Sequence, residues 1–84
     1  MNLQALELSA KANILLANRI LKKALINDNF SEEISKEYYM AMGKFWAFSE
    51  AILYHNVEYY SAVIAQCRYY LDLHEEIIKV FNKN

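Results

Sequence analysis

The sequence predicts an all-α fold, an elongated three-helix bundle, and three observations carry that expectation. The 84 residues contain no proline and one glycine, so almost every residue that breaks a helix is missing. Hydrophobic residues make up 56 % of the chain and charged residues 23 %, enough apolar surface to build a core and too little charge for a disordered chain. The apolar residues recur at spacings of three and four along most of the chain, the period of a helix with one buried face. A chain this short supports one core, so residues 1–84 read as a single helical domain.

The first helix is expected over residues 2–27. Its main stripe is Leu3, Leu6, Ala10, Ile14, Ala17, Leu21 and Ala24, and Lys22 and Lys23 near its end complement the negative pole of the helix dipole. Roughly opposite that stripe stand Ala5, Leu8, Ala12, Leu15, Leu16 and Ile26. As seen from one helix of a three-helix bundle, the two neighbours lie only about 60° apart, so helix 1 carries one apolar face too many.

The stretch NDNFSEE at 27–33 is the densest break signal, with Asn29 and Glu32 forming a possible capping box and Ser31 a competing cap. Helix 2 follows over residues 31–54, with a stripe of Ile34, Tyr38, Ala41, Phe45, Phe48 and Ile52 beside a second of Tyr39, Met42, Trp46 and Leu53. The next boundary rests on His55 and Asn56 alone, asparagine tolerating a left-handed cap better than most residues.

Helix 3 is expected over residues 57–81. Its stripes are Tyr60, Val63, Ile64, Cys67, Leu71, Ile78 and Phe81 on one side and Tyr59, Ala62, Tyr69, Leu73 and Val80 on the other. The alternative is a helical hairpin with one long second helix over 31–81, because the stripe stays in phase across the junction. The bundle is preferred, since helices of about 50 residues are rare in ordinary domains and aromatic side chains fit a coiled-coil seam poorly. The double stripes of helices 2 and 3 then serve two neighbours each, and every tyrosine doublet (38 and 39, 59 and 60, 69 and 70) places one ring on each stripe.

The same residues narrow the function. One cysteine cannot form an internal disulfide or a common structural zinc site, which suits a cytoplasmic setting. The first residues lack the basic region of a secretory signal, and the longest uncharged run, residues 59–67, is half a membrane span, so no membrane association is expected. Cys67 falls on an apolar stripe as a buried thiol, and His74 on the same stripe as a hydrogen-bonded core residue or boundary group. A di-iron bundle would need Glu three residues before each ligand histidine, where this chain has Ile52 and Leu71. Neither a metal nor a cofactor is expected, and the chain reads as non-enzymatic.

What remains is a small protein–protein interaction module (an adaptor, inhibitor or assembly factor, in short an accessory protein or regulator) acting through apolar helix faces as a homodimer. Its expected interface is Leu8, Ala12, Leu15, Leu16 and Ile26, the partners being a second copy and another protein. The alternative is a nucleic-acid-binding regulator. Residues 1–27 hold four cationic side chains against one Glu, a net +3, while residues 28–84 hold five against nine acidic ones, a net −4. Lys11, Arg19, Lys22 and Lys23 would then make the phosphate contacts.

Overall fold

The structure, a computed structural model, describes residues 2–82, with side chains described from Asn2 to Lys79; Val80 and Phe81, assigned to the stripes of helix 3, have side chains outside the described residues. It is a three-helix bundle of α1 (Leu3–Ile26), α2 (Glu32–His55) and α3 (Val57–Asn82). The predicted boundaries hold to within about two residues.

Each start and stop has a local cause. Asn2 caps α1, its side-chain oxygen accepting from the Gln4 amide at 2.9 Å and the Ala5 amide at 3.4 Å. At the far end, the Asn29 amide donates to the Ala24 carbonyl at 3.0 Å and the Asp28 amide to the Leu25 carbonyl at 3.3 Å. This is a Schellman turn, and it holds Asp28 at φ 47, a left-handed position usually taken by glycine. Ser31, not the Asn29–Glu32 box, caps α2: its hydroxyl accepts from the Ile34 amide at 3.3 Å. Asn29 is already committed to closing α1. Glu32 and Glu33 occupy the first turn of α2, where the helix dipole favours them.

A single residue separates α2 from α3. Asn56 adopts φ −161 and ψ 105, so the chain reverses through an extended residue and not through the left-handed cap that its residue type suggests. It serves both helices. Its amide donates to the Ile52 carbonyl at 2.8 Å, its carbonyl accepts from the Tyr60 amide at 3.0 Å, and its side-chain oxygen accepts from the Tyr59 amide at 3.0 Å. The one-long-helix alternative is thereby excluded. A continuous helix from 32 to 82 would span about 75 Å, whereas the longest dimension of the molecule is 40 Å.

The core follows the main stripes. Ala10 and Ile14 of α1 cluster with Phe45 and Ile52 of α2 and with Val63, Ile64 and Cys67 of α3. Ala17 and Leu21 cluster with Tyr38 and Ala41, with Ile77 and Ile78 packed against them. The first half of α1 therefore meets the second half of α2 and the first half of α3, which makes α2 antiparallel and α3 parallel to α1. The contact of α1 with α2 is the most extensive, and α3 lies across both. Alanines at 10, 17, 24 and 41 let the backbones of α1 and α2 approach, and Phe45, fully buried, fills the space between the three helices.

The second stripes behave differently from the expectation that two neighbours absorb them. Tyr39, Trp46 and Leu53 of α2 and Tyr69 of α3 remain exposed. Within the doublets, Tyr38 is buried and Tyr39 is not, while Tyr59 and Tyr60 are both half-buried. Tyr38 meets Tyr39 edge-on at 5.1 Å and Tyr69 meets Tyr70 at 5.3 Å, so in each pair the exposed ring packs against its more covered neighbour.

Candidate interaction surface

An α-helix turns by about 100° per residue, which puts Ala5, Leu8, Ala12, Leu15 and Leu16 on the side of α1 opposite the core residues Ala10, Ile14, Ala17 and Leu21. The packing preserves that division. Ala10 and Ala17 are completely buried, while Leu8 is 70 % exposed, Leu15 45 % and Leu16 44 %, with Ala12 exposed between them. Ile26 is also exposed, but it stands about 15 Å further along the axis than Leu16. Arg19, Lys22 and Lys23 lie in that interval, so Leu8, Ala12, Leu15 and Leu16 form one patch and Ile26 is apart from it.

Two shallow grooves flank this ridge. On one side Leu16 and Ile20 face Met40 and Ala41 of α2, with Glu37 and Lys44 at the rim. On the other, Leu15 and Ile14 face Cys67 and Tyr70 of α3, with Lys11 and Gln66 above them. Met40, itself 62 % exposed, extends the apolar surface of α1 onto α2, a continuation that the pattern of one helix could not show.

Of the four cations proposed to meet phosphate, Lys11 is otherwise engaged. Its ammonium group donates to Glu7 at 2.5 Å, one turn earlier, and to the side-chain oxygen of Gln66 on α3. The Glu7 carboxylate also accepts from the Tyr59 hydroxyl at 2.5 Å. Tyr59, Glu7, Lys11 and Gln66 thus form a polar strap closing the α1–α3 seam over the core. The hydrogen bond from Lys11 and then that from Tyr59 hold the Glu7 carboxyl below its ordinary value, and the same carboxylate pushes the Tyr59 phenol up. Arg19, Lys22 and Lys23 remain exposed as a cationic end to the outer face of α1.

The two residues singled out for chemistry are both interior. Cys67 is 2 % exposed, and burial pushes its thiol up, against the direction a nucleophile needs. His74 is 2 % exposed with the Tyr38 ring edge-on at 5.6 Å, and neither ring nitrogen has a hydrogen-bond partner in the chain. Of the two expectations, a hydrogen-bonded core residue or a boundary group, neither describes it: His74 is a core residue whose ring nitrogens find no partner in the chain. Burial accordingly lowers the His74 pKa. The Asn18 side-chain oxygen and the Ser49 hydroxyl are likewise buried without a partner.

Among the described residues no group of three or more His, Cys, Asp or Glu could hold a metal ion, and no helix is long and apolar enough to cross a membrane. No family model, curated protein or solved structure matches the chain.

Proposed function

We propose that this chain is a small non-enzymatic interaction module, an adaptor, inhibitor or assembly factor of the cytoplasm, that works by presenting the outer face of α1 to a protein partner and pairs with a second copy of itself. The observation that supports this reading is the unsatisfied leucine patch: Leu8, Leu15 and Leu16 stay in water while every residue of the opposite stripe from Ala10 to Ala24 is sealed in the core. A contiguous apolar patch on so small a molecule favours association, because burying a fully exposed leucine contributes on the order of 1.5–3 kcal/mol, and Leu15 and Leu16, already more than half covered, would each add about half of that.

Light scattering across a concentration series tests it. A mass approaching twice the 9.9 kDa of one chain is expected, and Leu15→Glu should return it to one chain without loss of helicity, because Leu15 lies outside the core. A wild-type chain that stays monomeric at high concentration, with a mobility shift on duplex DNA or RNA that weakens steeply with salt, would replace this reading with the phosphate-binding one.

A further inference from the structure

We infer that His74 is an acid-sensitive latch on the C-terminal half of α3: its protonation releases that half from the α1–α2 pair and opens the apolar floor beneath it, while the rest of the bundle stays folded. The observation that supports this is how the helix is anchored. The first half of α3 is sealed by Val63, Ile64 and Cys67, none of which takes up a proton in mild acid. From residue 68 to 79, His74 is the one buried side chain among the described residues, and Tyr70, Leu71, Leu73, Ile77 and Ile78 are each only half-buried.

Nothing in the chain compensates a charge on that anchor. The imidazole meets the Tyr38 ring of α2 edge-on at 5.6 Å, and neither of its nitrogens has a hydrogen-bond partner in the chain. Tyr38 stays neutral in acid, burial pushing its phenol up to about 12. It belongs to a cluster with Ala17, Leu21 and Ala41, against which Ile77 and Ile78 pack. The charged side chains beside these residues in sequence are exposed on all three helices: Arg19 and Lys22 on α1, Glu37 on α2, and Glu75 and Lys79 on α3, the last two 3.6 Å apart. Burial, unopposed by a carboxylate, lowers the His74 pKa.

The sign of the effect follows. The docked half-helix holds the ring uncharged, so docking is favoured above the ordinary value of 6.5 and weakens as pH falls below it. Undocking gives up the contacts of one buried side chain and of its half-buried neighbours, whereas α1 and α2 share the most extensive contact of the bundle and hold together without it. Release bares Leu21 and Tyr38, both sealed in the closed form.

Hydrogen exchange read by mass spectrometry on the full chain tests this, with rates converted to protection factors so that the pH dependence of exchange itself drops out. Protection over residues 68–79 is expected to fall by up to about tenfold per pH unit below 6.5, while α1 and α2 keep theirs. His74→Phe should hold that segment closed in acid, and His55→Gln, at the exposed end of α2, should leave the response unchanged. A parallel loss in all three helices would make the transition a global one and overturn the latch, as would protection that does not change with pH or a response that survives His74→Phe. If that variant does not fold, the wild-type His74 ring resonances decide: they should titrate in step with the loss of protection over 68–79, and a ring that takes up its proton while the segment stays protected overturns the inference.

Discussion

Tyr59, at the start of α3, donates a 2.5 Å hydrogen bond to the carboxylate of Glu7 on α1, joining residues 52 positions apart in the chain. The same carboxylate holds Lys11, which reaches on to Gln66, so one acidic side chain organises the polar closure of a seam between two parallel helices.

Glu7→Gln tests that closure. In the wild type the Tyr59 phenol is expected to titrate above its ordinary value of 10.0, and in the variant it should fall back, as followed through the ring resonances of Tyr59. Because the folded Glu7 pKa is depressed, its contribution to stability is present above the ordinary carboxyl value of 4.5 and is lost as pH falls below it. Glu7→Gln should therefore flatten the acid limb of the stability curve below about pH 4.5.

A second acid sensitivity belongs to His74 and lies higher on the pH scale. Burial depresses its folded pKa, so the unfolded chain binds the proton more readily, and stability is fully present above the ordinary value of 6.5 and falls as pH drops below it. The limiting slope for one such proton is about 1.4 kcal/mol per pH unit. His74→Phe should remove this dependence between pH 6.5 and the onset of the Glu7 transition, measured as urea midpoints across the range. An unchanged profile would show that His74 is solvated in the folded protein.

Asn56→Ala separates the side-chain cap from the backbone reversal. It removes the 3.0 Å acceptor for the Tyr59 amide and leaves the two backbone hydrogen bonds of residue 56 in place. A loss of about 1 kcal/mol is expected in denaturant unfolding, the usual value of an N-cap.

Two glycine exchanges should both stabilise the chain. Asp28 sits at φ 47, where an L side chain is strained and glycine is not, so Asp28→Gly is expected to raise stability by up to about 1 kcal/mol. Gly43 lies within α2 with open space around an added Cβ, so Gly43→Ala should gain about 0.5–1 kcal/mol from helix propensity alone. Thermal unfolding of each variant, and of the pair together, checks the signs; the sites are distant in sequence and their effects should add.

The legibility of this molecule in its sequence varied with the range of the interaction. The main stripe of α1 is buried as the spacing of Ala10, Ile14, Ala17 and Leu21 implies, and the opposite face is exposed at Leu8, Ala12, Leu15 and Leu16, because helical periodicity divides the two without reference to any other element. The choice of Ser31 over Asn29 as cap was not legible. Both residues are good caps, and what settled it was that the Asn29 amide closes the Schellman turn of α1.

Aromatic doublets were legible only in part. The sequence places two rings on adjacent stripes, but which ring is covered depends on where the third helix crosses, and α3 covers Tyr38 while leaving Tyr39, Trp46 and Leu53 in contact with water. The strap of Tyr59, Glu7, Lys11 and Gln66 had no sequence signal beyond the Glu7–Lys11 spacing, and it withdraws Lys11 from the cations available to a ligand.

By itself, then, the sequence determined an all-α chain, the limits of the first helix and the surplus apolar face on it, since these follow from periodicity, capping and the near absence of glycine and proline, all of which act within one turn of helix, while the in-phase stripe left two helices or three open beyond residue 31. Only the tertiary structure decided that Asn56 reverses the chain in one extended residue, that His74 is sealed without a hydrogen bond, and that Arg19, Lys22 and Lys23 are left free while Lys11 is not. Those outcomes depend on side chains from different helices meeting, and the rotation of one helix against another is set by the packing of the whole core and not by any segment of it.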